Sequence, residues 1–159
     1  MGPVYISAKV DYATRVLLTL AASDGKPIRG ETLAKEQDLP VRFIENTLVE
    51  LRRAGLVTSQ RGLEGGYRLA RPPAEIAIAD IIRALEGPLA EVHGLRPDQR
   101  SYEGAAEHLQ DVWVALRASM RAVLETTTLD HVVKGKLPPR VAKLVSDPDA
   151  WAPRPLGQQ

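Results

Sequence analysis

Cysteine is absent from all 159 residues. Its absence removes disulfides, thiolate nucleophiles and thiolate metal ligands together, and it is compatible with a cytoplasmic protein. Membrane signals are missing as well. No apolar run approaches the roughly 18 residues that a span needs, and the N-terminus lacks a signal-peptide pattern. Also missing are a paired-histidine metal motif, a phosphate-binding loop and a nucleophile set beside a base. His93, His108 and His131 stand apart from one another, without metal-ligand spacing. The carboxylates all have ready places as helix-surface charges. No enzyme, no metal and no cofactor are expected.

What is present is ordinary in amount and uneven in placement. Hydrophobic residues make up 44% and charged residues 26%, enough for one domain with a real core and a helical appendage. The net charge of +1 divides along the chain. Residues 1–72 carry 11 Lys/Arg against 8 Asp/Glu, and residues 73–159 carry 10 against 12. Within 40–72 the balance is 6 against 3, a mild local basic bias that suits phosphate contact through counterion release.

That basic stretch has the most definite pattern. Pro40 suits a first helical position, where its missing N–H has no intrahelical partner anyway. Ile44, Leu48 and Leu51 then form a stripe at helical spacing. Arg42, Asn46, Val49 and Arg53 lie roughly opposite, with Glu45 at the flank, and Gly55 stops the helix. Residues 56–60 and 67–70 can pair as a hairpin around the glycine-rich turn RGLEGG. A helix feeding directly into a small hairpin is the pattern of a winged helix-turn-helix.

The remaining segments read as its support. A first helix spans 6–22, with Ala13, Val16, Leu17 and Leu20 inward and Ser7 as N-cap. Residues 23–27 form a turn, Ile28 is placed to add a short strand to the hairpin, and a brief helix covers 31–37. The two short helices and their turn have helix-turn-helix geometry. A fourth helix spans 78–86, and 89–102 reads as a loop. The longest helix covers 103–127. Its Leu109, Trp113, Leu116, Met120 and Val123 are spaced 4, 3, 4, 3, an a/d seam that needs a partner surface. A last turn is expected at 129–134, followed by a proline-rich extended or disordered tail. The units are therefore 1–87 (winged helix-turn-helix), 88–102 (connecting loop), 103–134 (dimerisation helix region) and 135–159 (tail). The fold class is mainly α with a small β-wing.

Four segments in order, ISAKVDYATRVLLTLA, LPVRFIENTLVELRRAGLVTSQRGLEGGYRLARP, IAIADIIRALEGP and LQDVWVALRASMRAVLETTTLDHV, are recognisable together. The chain resembles the Rrf-type family of bacterial winged-helix regulators, the group that includes IscR, NsrR and CymR. The resemblance covers most of 5–134. It implies a homodimeric DNA-binding transcription factor, usually a repressor, whose long helices pair the subunits through the 109–123 seam. Many family members hold an iron–sulfur cluster with three cysteines in the segment matching 89–108. This chain offers only Glu91, His93, Asp98, Glu103, Glu107 and His108 there, hard or borderline donors. It therefore resembles the cluster-free members, for which regulation by a small molecule or a protein partner is implied.

The expected DNA contacts follow. Arg42, Glu45 and Asn46 stand at the N-terminal end of the reader helix, which enters the major groove in this motif. Arginine can donate two bonds to guanine, asparagine can pair with adenine, and a carboxylate can accept from cytosine. Glu45 is repelled by phosphate, so it is tolerable only with a base contact or an ion pair to Arg42. Arg61 at the hairpin tip is placed for a minor groove. Gly65 is chiefly a turn residue, with a close backbone approach to phosphate as a second use. Tyr67 either donates to phosphate or packs on the wing. The family resemblance adds backbone contacts from Lys9 and Tyr12. The leading expectation is a homodimeric repressor on a palindromic operator in double-stranded DNA. The alternative is a winged-helix interaction module acting through a metabolic enzyme partner or a small-molecule ligand.

Overall fold

In the computed structural model, residues 6–154 are described, and expectations for 1–5 and 155–159 lie outside them. Helix α1 (Ala8–Ala22) is opened by Ser7, whose hydroxyl accepts from the Val10 N–H. Helices α2 (Gly30–Gln37) and α3 (Val41–Arg53) are joined by a turn at Asp38. Asp38 takes φ 52°, a left-handed conformation that aspartate tolerates better than most residues. Its N–H, and that of Leu39, return to the carbonyls at the end of α2. Pro40 differs slightly from expectation. With ψ 132° it is the N-cap rather than the first helical residue, and its carbonyl accepts from Phe43 and Ile44.

The stripe on α3 is buried as its spacing predicts: Ile44, Leu48 and Leu51 are each fully enclosed. They meet Val16, Leu17 and Leu20 of α1, Leu33 of α2, Ile81 and Leu129 in one core. Each such side chain contributes roughly 1.5–3 kcal/mol of burial. This core fixes α3 with its opposite face outward. Strands β1 (Val57–Gln60) and β2 (Gly66–Leu69) pair antiparallel in the register Val57↔Leu69 to Gln60↔Gly66. Ile28 adds the expected third element through a bridge to Tyr67, with N–H to carbonyl bonds of 2.9 and 2.7 Å.

Helix α4 (Ile78–Glu86) has the expected bounds, and Asp80 accepts from the Ala77 N–H at its start. The long helix is shorter than its sequence pattern suggests. A 3-10 turn at Gly104–Ala106 precedes α5 (Leu109–Leu124). The chain then returns to the winged domain. The Ile78 N–H donates to the Thr127 carbonyl, the Leu129 N–H donates to the Ile76 carbonyl, and α6 (Leu129–Lys134) packs on α1.

Arg83 of α4 and Arg121 of α5 both grip Glu125 at the end of α5. The two guanidinium hydrogen bonds, Arg83's first, hold the Glu125 carboxyl below its ordinary value. A depressed carboxylate pKa contributes stability that is present at neutral pH and is lost as pH falls through the carboxylate range. Glu125→Gln is therefore expected to lower the melting temperature slightly at pH 7 and to leave it nearly unchanged near pH 3, as read by thermal denaturation across pH.

The expected extended or disordered tail is corrected. Residues Pro139–Ser146 form helix α7, followed by a 3-10 turn at Pro148–Ala150. Pro139 and Pro148 stand at the first positions of these elements, where proline is tolerated, and Pro138 is the N-cap of α7. Val141, Leu144 and Val145 recur at helical spacing, and Val141 is buried.

Candidate nucleic-acid interface

Arg42, Glu45 and Asn46 fall at i, i+3 and i+4 of α3, on one exposed face opposite the buried stripe. Among the described residues none of the three is tied down by a hydrogen bond or ion pair, and Arg42 and Glu45 do not pair with each other. Glu45 therefore lacks the protein partner that would account for a carboxylate on a phosphate-facing surface. It remains free to accept from a base. Because the core holds α3 along most of its length, this face is presented rigidly.

The expected backbone contacts on α1 have partners within the protein. Lys9 Nζ lies 2.9 and 2.8 Å from the two carboxyl oxygens of Glu50 and ties α1 to α3. Tyr12 packs edge-on against Phe43, with ring centroids 5.9 Å apart, and the Arg15 guanidinium stands 4.7 Å above its ring. Lys9 and Tyr12 thus tie α1 to the reader helix. Arg15, which the sequence pattern did not single out, is the exposed cation of this cluster. The signal for it was its place one helical turn from Asp11, with which it pairs at 3.5 Å.

The wing divides in the same way. Arg61 is exposed at the hairpin tip. Gly65 is buried, and its N–H donates to the Gly62 carbonyl at 3.0 Å, in keeping with its expected turn role. A Cβ there would strike the Gln60 carbonyl oxygen of its own hairpin. Tyr67 is half-buried, bridged through its backbone to Ile28 and packed against the core, which favours the packing alternative. Arg52 donates to the Ser59 hydroxyl at 3.1 Å and braces α3 against β1. Arg29 donates to the Leu63 carbonyl at 2.9 Å and braces the wing tip, a contact invisible in the sequence because 34 residues separate the two.

The 109–123 seam turns partly toward its own chain. Trp113, Leu116 and Met120 line one wall of a cavity of about 420 Å³, opposite Val10, Ile82 and residues 88–93. Val123 instead faces α7 across a cleft with Val141 and Trp151. No α5 residue is buried, and Val112, Val114 and Leu116 are exposed. Glu91 and His93 reach the cavity's lining, whereas Arg96 pairs with Asp98 at 2.7 Å.

The order of two short helices, reader helix, two-stranded wing and long helix is matched by known proteins. The family model described as "Iron-dependent Transcriptional regulator" and named Rrf2 matches residues 6–135. The chain belongs to the Rrf2 family. Rv1287 of Mycobacterium tuberculosis, whose name assigns it provisionally to the HTH-type transcriptional regulators, is 48% identical over 143 residues, 89% of each chain. The structure of CymR, the global cysteine regulator of B. subtilis, aligns with TM-score 0.70 at 33% identity over 84% of this chain and 98% of that one. T. potens IscR aligns with TM-score 0.67 at 32% identity over 83% and 88%. The protein is accordingly a helix-turn-helix transcriptional regulator of a DNA-binding family, not an enzyme. Helix α7 lies beyond the matched residues.

The donors in this chain do not fit an iron–sulfur cluster. Such clusters are held chiefly by thiolates, and the chain has none. Among the described residues, no three His, Asp or Glu gather where they could hold a metal ion. His131 is occupied in capping α6, where its Nδ1 accepts from the Thr128 N–H at 3.1 Å. No described helix is long and apolar enough to cross a membrane.

Proposed function

We propose that the protein is a homodimeric repressor acting in the bacterial cytoplasm. In this reading it binds a palindromic operator with two reader helices about one DNA turn apart, on the order of 34 Å. The observation that carries the reading is the free, rigidly mounted face of Arg42, Glu45 and Asn46. These three side chains offer donors and an acceptor to base edges while the rest of α3 is committed to the core. Arg61 supplies a charge contact that orients the protein without selecting bases in the major groove. Dimerisation is supported by α5, a 16-residue helix with none of its residues buried in its own chain. Without cysteine, the signal is proposed to be a small molecule or a protein partner, and Glu91 and His93 at the α5 cavity are the polar candidates for contacting it.

Gel-shift titration of Arg61→Ala and Glu45→Ala against an operator and its half-site mutants tests the division of labour. Arg61→Ala is expected to weaken binding to every duplex while leaving the ranking of bases at the major-groove half-site positions unchanged. Glu45→Ala is expected to narrow the gap between right and wrong bases by roughly 1–3 kcal/mol. Equal losses on every duplex for both variants would remove Glu45 from base reading.

A further inference from the structure

Leu63 is the most exposed large apolar side chain among the described residues, at 95%. A lone exposed leucine on a mobile loop carries no information. This one sits on a braced tip. Its carbonyl is held by Arg29 at 2.9 Å, the Gly65 N–H closes the turn on the Gly62 carbonyl at 3.0 Å, and Gly65 fills the space beneath. The hairpin therefore fixes the Leu63 backbone and leaves its isobutyl group outward, two residues from the exposed Arg61.

We infer that Leu63 is an apolar minor-groove contact that selects against guanine beside Arg61. The inference rests on the DNA-binding reading above. The walls of the groove are sugar carbons, which an apolar side chain can cover. Its floor presents only acceptors at A·T pairs, whereas G·C adds the guanine N2 amino group. Leucine pressed against that group would strip its water and return no hydrogen bond, a penalty with no compensation. An A·T pair carries no such group, and narrow A·T tracts also attract the neighbouring arginine. Side chains of this type are used as apolar contacts or wedges in minor grooves. Arg29 is a positioning residue that keeps the tip in place.

The test uses the full chain and an operator obtained by selection from random duplexes. Each flanking A·T pair is replaced in turn by G·C and by inosine·C, which lacks only the N2 amino group, and affinities are read by fluorescence anisotropy. At one flanking position the wild type is expected to lose roughly tenfold on G·C and to recover on inosine·C. Leu63→Ala should bind the parent operator about fivefold more weakly and lose most of that discrimination. Arg61→Ala should bind more weakly but keep part of it. Leu63→Ala behaving as wild type on all three duplexes would overturn the inference, as would a wild type that treats G·C and inosine·C alike at every flanking position. Failure of the wild type to select any operator would instead overturn the DNA-binding reading itself.

Discussion

With Trp113 and Met120 both replaced by glutamate, the protein is expected to scatter light as a monomer and to lose tight operator binding. Both side chains stand half-buried on α5 at the wall of the cavity, outside the winged-domain core, so that core is expected to stay intact. The expected cost falls on assembly. A carboxylate carried into an apolar interface gives up its hydration with no partner to replace it. Large apolar anchors at such interfaces are each worth roughly 2 kcal/mol or more. Two of them shift the dimer equilibrium on the order of a thousandfold. Operator affinity falls with it, because a monomer holds one half-site only. Unchanged circular dichroism with a halved scattering mass is the predicted signature. Dimers that persist would show that the seam is internal core, packed on its own chain.

Gly66→Ala is expected to be the most damaging single substitution in the wing. Gly66 has φ +146°, and a Cβ there would lie 2.5 Å from the Ile28 carbonyl carbon and oxygen and 2.9 Å from the Arg29 nitrogen. All three are backbone atoms, which cannot rotate away as a side chain can. The strand must retreat and break the Ile28–Tyr67 bridge, which joins the wing to the segment before α2. Strain and lost contacts together are expected to cost about 3 kcal/mol. For a chain of this length that is roughly a 10 °C fall in melting temperature. Gly62→Ala is the control. Its φ is +108° but a Cβ would meet nothing within 4 Å, so only the backbone cost of roughly 1–2 kcal/mol applies. Equal melting temperatures for the two variants would contradict the packing argument.

Much of the fold was legible because local periodicity and global packing agree. The α3 stripe and the bounds of α4 followed from spacing alone, since one face of each helix is buried. The start of α5 and the presence of α7 were not legible. Glycine at 104 and proline at 138 and 139 carry opposite meanings inside a helix and at its first turn, and sequence counts do not distinguish them. In the candidate site, exposure of Arg42, Glu45 and Asn46 followed from the helix period. What the pattern could not supply was which cations are already engaged. Lys9 on Glu50, Arg29 on Leu63 and Arg52 on Ser59 are side-chain contacts between separate elements. These contacts brace the reader and the wing.

Selection of bound duplexes from a random pool by the wild-type protein, followed by sequencing, tests the central claim most directly. The account predicts an enriched inverted repeat whose half-sites are centred about one helical turn apart, roughly 10 base pairs. It also predicts affinity for that repeat that falls steeply with salt, as several phosphate contacts require. A pool that emerges with no enriched motif, or with a single unrepeated site, would contradict it.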